Sequence, residues 1–265
     1  MGNTHRNKND YQESKLYHIK KSTDIRDAIQ YNHHKISELL TNQAKHFSDL
    51  DWVPYQIHKE SEILMRIPYD TKSRPKKFWL DYPSIKNQEK TYEYICSRDA
   101  QRKTITRLEV IDIHRRLAYK TKIAPGRYRI SNGVYLIGTG IAAPDYNRID
   151  STMDDIVFRL NNNNSGKDFL TRALDFHYEM FATQPFDDYN KRTARMVMNW
   201  FLLQNDCEPI LFNRRTDYHN YAHALMARAQ NDCHTYNRYM LECLVRTQED
   251  IIDILKNHAM SDYQK

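Results

Sequence analysis

The sequence predicts a mainly α-helical fold, a helical bundle carrying one small β-hairpin flap, and three observations predict it. Apolar residues recur at spacings of three and four along most of the 265 residues, and the polar breaks between these stretches are short. Four of the six glycines gather in a single segment, 126–146, beside the β-rich run "VYLI". Taken in order, Ile25, Ala28, Ile29, His33, Ile36, Leu39 and Leu40 mark an amphipathic helix from Thr23 to about Phe47. "IPYDTKSRPKKFWLDYP", residues 67–83, reads as a loop, because its prolines and basic cluster interrupt a helix. A helix follows over Ser84 to Cys96, and another starts at a Thr106 cap and carries Leu108, Val110, Ile111, Ile113 and Leu117. "GRYRISNGVYLIGTGIAAPDY" is the hairpin or flap. Helices then resume over Asp154 to Leu160, Lys167 to Thr183, Asn190 to Asn205, Asp217 to Gln230 and His234 to about His258.

Composition bounds the function classes. A chain of this length buries a sizeable core as one large domain, or one with an appendage, and 40% apolar with 12% aromatic residues suits a folded chain. No apolar run approaches the roughly 18 residues that span a bilayer, and "MGNTHRNKND" has no apolar signal core, so a soluble, cytoplasmic protein without a membrane partner is expected. "MGNTHR" opens like a myristoylation signal but has Arg6 where that pattern wants Ser or Thr. Cys96, Cys207, Cys233 and Cys243 form no CxxC pair, which suits buried thiols in a reducing compartment and excludes a cysteine zinc site. The formal charge of +6 leaves room for an acidic partner, but nucleic acid rests on that charge alone and is the weakest reading.

"QPFDDYNKRTAR", residues 184–195, packs two acids, an Asn and three basic residues between two apolar helices. Pro185 ends the first helix, and Asp188 or Asn190 can cap the second. The free N–H groups of that second N-terminus, with the helix dipole behind them, attract an anion. Arg192 and Arg195, three apart, project from one face toward the same place. Asp188, an acid beside a phosphate site, is the natural Mg²⁺ ligand, since Mg²⁺ commonly bridges one carboxylate to substrate phosphates. A plain capped and solvated helix start accounts for Asp188 or Asn190. It does not call for two arginines on a helix otherwise as apolar as "MVMNWFLL".

This stretch resembles the signature of the Fic (Fido) domain family, His-Pro-Phe-x-Asp/Glu-Gly-Asn-Gly-Arg-x-x-Arg. Pro185, Phe186, Asp188, Asn190, Arg192 and Arg195 match in register. Further likeness lies in "TITRLEVIDIHRRL", in "GRYR", in "VYLIGTGIAAPD" where the family has its target-binding flap (Val134, Tyr135, Leu136, Ile137), and in "DYHNYAHAL", which brings Tyr221 to the nucleotide site. The resemblance implies a helical fold that binds ATP or another nucleoside triphosphate with Mg²⁺ and transfers AMP to a hydroxyl of a target protein. Asp188 would hold the metal, and Asn190, Lys191, Arg192, Arg195 and Tyr221 the nucleotide. A target or regulatory protein and a second copy of the chain are the further partners to consider. The domain would span residues 91–258, after a helical N-terminal extension, 1–90, and before a tail, 259–265.

The departures bear on activity. Gln184 stands at the family's His, and Tyr189 and Lys191 stand at its two glycines. Gln has no proton-accepting nitrogen near neutral pH, so it can orient a hydroxyl but cannot be a general base, a loss of about 10²–10⁴ in rate. Bulky residues at the glycine positions oppose positive φ and close backbone approach to phosphate. His177 lies two turns, roughly 10.5 Å, before Gln184, too far for the same proton, and reads as a core histidine. Many family members also carry an inhibitory helix, Ser/Thr-x-x-x-Glu-Gly/Asn, whose Glu pairs with the second arginine. "SRDAQRK" aligns Ser97 and Gln101 with it, and Gln101 cannot form that ion pair. Trp52, Tyr55, Phe78, Trp79 and Tyr82 are expected to pack the N-terminal extension on the core. Two functions stay open: a pseudoenzyme that binds nucleotide without transfer, and an active transferase of AMP, UMP or a similar group that uses another base.

Overall fold

The structure is a computed structural model describing residues 25–43, 76–136, 139–163, 166–212, 214 and 216–262, with backbone alone for 76–82 and 258–262. Its helices are α1 (Ile25–Asn42), α2 (Lys76–Cys96), α3 (Arg98–Gln101), α4 (Arg107–Leu117), α5 (Ile149–Asn161), α6 (Phe169–Thr183), α7 (Asn190–Gln204), α8 (Asp217–Ala229) and α9 (Cys233–Asp262). The fold is mainly α-helical, as its sequence periodicity requires. Two compact units divide the chain: Met1–His46 with Leu244–Lys265, and Phe47–Cys243. In the first unit α1 buries Ile29, Asn32 and Ile36. There Gln43 Nε2 donates to the Leu255 carbonyl at 2.9 Å, and Gln248 Nε2 to that of Ile29 at 3.2 Å.

The second unit is built around α6 and α7. Helix α7 buries an unbroken run from Thr193 to Leu202, which suits a helix enclosed by its neighbours. Trp200, Phe176 and Met180 at its centre are at most 1% exposed. Trp200 Nε1 donates to the Ala100 carbonyl, and Gln204 Nε2 to the carbonyls of Ala100 and Lys103, so the far end of α7 carries α3. Asn199 exchanges two bonds with Ile210, Nδ2 to its carbonyl and Oδ1 from its N–H, and so pins the buried segment Ile210–Phe212 against α7.

Four expectations need correction. Residues 76–83 are not loop: α2 starts at Lys76 and runs through Pro83. A proline inside a helix costs ~3 kcal/mol, but burial of Ile85, Tyr92 and Ile95 on one face supplies about 1.5–3 kcal/mol for each such side chain. Packing outweighs the break. Helix α5 begins at Ile149 rather than Asp154, entered by a 3₁₀ turn, Tyr146–Arg148, whose Asp145 side chain accepts from Asn147 N–H. Buried Ile149 and Met153 extend its apolar stripe one turn earlier. Leu108, expected on the core side of α4, is 67% exposed, whereas Val110, Ile113, His114 and Leu117 are buried. Helix α9 also continues past His258 to Asp262, into the expected tail.

In the expected flap Tyr135 forms an isolated antiparallel bridge with Ala142, and Tyr128 forms another with Phe186 of the 184–195 loop. Leu136 N–H donates to Ile141 O and Ala143 N–H to Val134 O, both at 2.8 Å. Ile137 lies outside the described residues, as do Trp52, Tyr55 and the side chains of Phe78, Trp79 and Tyr82. Among the described residues no helix is long and apolar enough to cross a membrane.

Candidate functional site

The loop between α6 and α7 is held by its own side chains. Gln184 ends α6 in the left-handed conformation, φ 45° and ψ 56°. Its Nε2 donates back to Phe181 O at 2.6 Å, and its Oε1 accepts from Asn190 Nδ2 at 3.0 Å. Asn190 Nδ2 also donates to Phe186 O, and its Oδ1 accepts from Phe186 N–H. The amide of Asn190 therefore braces the turn, and both ends of the Gln184 side chain are bonded to groups of the same loop. Tyr189, not Asp188 or Asn190, is the N-cap of α7, and it too is left-handed at φ 63°. A tyrosine thus bears the positive φ that a glycine adopts without strain. Lys191, at the other glycine position, is ordinary helix in the first turn of α7. Asp188 Oδ1 accepts from Tyr189 N–H at 2.6 Å, and α7 has no side-chain cap bond.

Two buried side chains outside the loop hold it from behind. Arg129, 2% exposed, donates to the carbonyls of Gln184, Ser131, Pro144 and Thr183, and its own N–H bonds Pro185 O at 2.9 Å. Burial lowers its pKa. One guanidinium fork thus joins the base of the 126–146 segment to the turn after α6. His114 stacks on Phe186 with centroids 3.7 Å apart and planes 7° apart. Gly126 N–H donates to its Nδ1, so the proton of the neutral ring sits on Nε2, which donates to Asp188 O at 3.3 Å. Burial pushes the His114 pKa down to about 4.

The groups expected to meet an anion converge on one cavity of about 540 Å³, within the range of small-molecule sites. Gln184, Asp187, Asp188, Tyr189, Asn190, Lys191, Arg192, Arg195 and Tyr221 all line it, as do Tyr135 and Thr139 from the bridge segment. Arg195 is 7% exposed and lies over the rings of Tyr221 and Phe212, at 5.6 and 5.9 Å. Arg192 lies 4.3 Å over the Tyr189 ring and donates to Ser84 Oγ. Desolvation, then the Arg195 charge, lowers the Lys191 pKa, with Asp188 opposing. Beneath Tyr221 runs a relay. Tyr236 O–H donates to Leu174 O, so His177 Nδ1–H donates to Tyr236, and Nε2 accepts from Tyr221 O–H at 2.9 Å. His177 is fully buried, and burial, with Arg195 adding repulsion, pushes its pKa to about 3.

The structure does not bring Ser97 and Gln101 to this cavity. Ser97 caps α3, Gln101 Nε2 donates to Ile95 O, and α3 sits by Trp200 and Gln204 at the far end of α7 from Arg192. The same Ser-x-x-x-Gln spacing occurs once more, in Ser84 and Gln88 on α2, and that pair does meet the site: Ser84 Oγ accepts from Arg192, and Gln88 lines the cavity. Both residues fall within the expected helix Ser84 to Cys96, but their contact with α7 joins segments about a hundred residues apart and leaves no local signal. Arg129 and His114 were also missed as loop supports. His114 shares the buried face of α4 with Val110, Ile113 and Leu117, which periodicity alone shows.

Chemically, the site offers three cations, the first N–H groups of α7 and two exposed carboxylates, Asp187 and Asp188, around one cavity. No cluster of three or more His, Cys, Asp or Glu among the described residues could hold a metal by itself. A divalent ion there would lean on Asp188 and on phosphate oxygens together, the way Mg²⁺ is usually held.

Residues 104–202 match the Fic/DOC family. A protein adenylyltransferase Fic of Nematostella vectensis is 27% identical over 183 residues, 65% of this chain and 40% of its own length. One of Aedes aegypti is 28% identical over 148 residues, 54% and 28%. The chain therefore spans well under half the length of these curated relatives. Among solved structures, a Fic domain containing signaling protein of Bacteroides thetaiotaomicron superposes with a TM-score of 0.69 at 18% identity, covering 87% of this chain and 97% of that one. Fic-1 of C. elegans gives 0.69 at 19% identity, covering 88% and 73%. These likenesses establish a shared fold.

Proposed function

We propose, from the match of residues 104–202 to the Fic/DOC family, that the 184–195 loop binds the polyphosphate of a nucleoside triphosphate with Mg²⁺ and transfers AMP poorly or not at all. One observation carries the reading: Lys191, Arg192 and Arg195 share a single cavity with the N-terminus of α7 and the carboxylate of Asp188. The residues present fit the ion. Asp188 would be its one protein carboxylate, and the metal would supply charge neutralisation between the phosphates.

The catalytic deficit follows from Gln184. Its amide cannot accept a proton, and its two polar atoms brace Phe181 and Asn190. The two buried histidines near the loop do not replace it. His114 spends both ring nitrogens on Gly126 and Asp188, and His177 spends both on Tyr221 and Tyr236. Losing a general base costs about 10²–10⁴ in rate. Tyr135 and Thr139 at the cavity wall support a reading in which an extended segment of a partner protein docks beside the loop.

A second reading, an active transferase of AMP, UMP or a similar group onto a protein hydroxyl, is favoured by the relatives named protein adenylyltransferase and by the intact Asp188, Asn190, Arg192 and Arg195. The test is mass spectrometry of the protein incubated with each nucleoside triphosphate and Mg²⁺, with and without lysate. Unchanged masses support the binder. A nucleotidyl adduct that Asp188→Ala abolishes establishes the transferase.

A further inference from the structure

We infer that Gln88 is a ligand-binding residue of this cavity, its side-chain amide donating a hydrogen bond to an oxygen of the bound polyphosphate; the inference rests on the polyphosphate reading above. Gln88 lies on α2, is 3% exposed and lines the cavity, and its Nε2 has no hydrogen-bond partner among the described residues. Buried side-chain donors are almost always paired, so an unpaired one at a cavity wall points to a ligand acceptor. Ser84, four residues earlier on the same face of α2, accepts from Arg192, which fixes that face against the first turn of α7. The acceptor therefore arrives where Lys191, Arg192 and Arg195 already draw an anion.

The amide matters because it is neutral. A carboxylate at residue 88 would have the same shape, offer no donor, and be drawn to the same cations as the phosphates. It would compete with the ligand instead of holding it.

The test uses calorimetry of the full chain with inorganic tripolyphosphate, and with ATP, each with Mg²⁺ near neutral pH. Gln88→Met keeps the volume and removes the donor, and we expect about tenfold or more weaker binding. Gln88→Glu should bind weaker still, recover part of its affinity as pH falls and the carboxylate protonates, and melt at a higher temperature without ligand because it pairs with the cations. Should the methionine variant fail to fold, the near-isosteric glutamate carries the test by its pH dependence, which a packing role would not produce. Native affinity in both variants, with binding lost in Arg195→Ala, overturns the role of Gln88 and leaves the polyphosphate reading standing. No binding of either ligand by the native chain overturns both.

Discussion

Arg129 donates from Nε to the carbonyl of Gln184 at 2.8 Å, so a residue 55 positions earlier in the chain sets the turn on which the 184–195 loop begins. The same guanidinium bonds three more carbonyls while almost wholly buried. Arg129→Met would leave those carbonyls unpaired, and we expect a loss of about 2–4 kcal/mol on denaturant unfolding. Arg129→Lys should recover little, because an ammonium cannot reproduce the planar fork. A methionine variant as stable as the native protein would show that the clamp does not hold the loop.

The buried histidines set an acid limit to stability. His114 and His177 titrate near 4 and 3 in the fold, against an ordinary value of 6.5, so the unfolded chain takes up protons first as pH falls. Their contribution is complete above about pH 6.5 and is lost toward pH 4 and 3, with a slope of about 1.4 kcal/mol per pH unit for each histidine. Urea unfolding between pH 7 and 5 should show this loss, and His114→Gln should lower the slope by about one histidine's share. Equal slopes in the two proteins would contradict the neutral tautomer assigned to His114.

Restoring the base alone should not restore transfer. Gln184→His supplies a proton acceptor but gives up the amide bonds to Phe181 and Asn190, and it leaves a left-handed Tyr189 in the loop. The triple change Gln184→His, Tyr189→Gly, Lys191→Gly should yield more AMP transfer to itself or to a target, read by mass. The glycine at 189 relieves the strain of φ 63°, on the order of 1 kcal/mol, while giving up a buried ring and its contact with Arg192. The triple variant should therefore be the less stable protein. Full transfer by Gln184→His alone would show that the loop was already shaped for catalysis.

Much of this was legible in the sequence because it is local. The existence of the helices from α4 to α8 followed from periodicity, with α5 starting more than a turn earlier than expected, and the grouping of Asp188, Lys191, Arg192 and Arg195 from a contiguous twelve-residue string. What escaped depends on distant partners. Nothing near Arg129 in sequence announces that it will cap a turn at Gln184, and nothing near His114 announces Phe186. Asn190 lines the cavity, but the bonds its amide makes to Phe186 and Gln184 are fixed by the turn rather than by residue type and leave no sequence signal. Ser84 and Gln88 lay within the expected helix Ser84 to Cys96, but nothing near them in sequence announces that this face of α2 meets Arg192 and the cavity.

The measurement that tests the central claim most directly is calorimetric titration of ATP with Mg²⁺ into the native protein and into Arg195→Ala, with the protein mass read at the end of each titration. The account predicts saturable binding by the native chain, at least tenfold weaker binding by the variant, and no added nucleotidyl mass. Equal binding by the two proteins, or none by the native one, would contradict it.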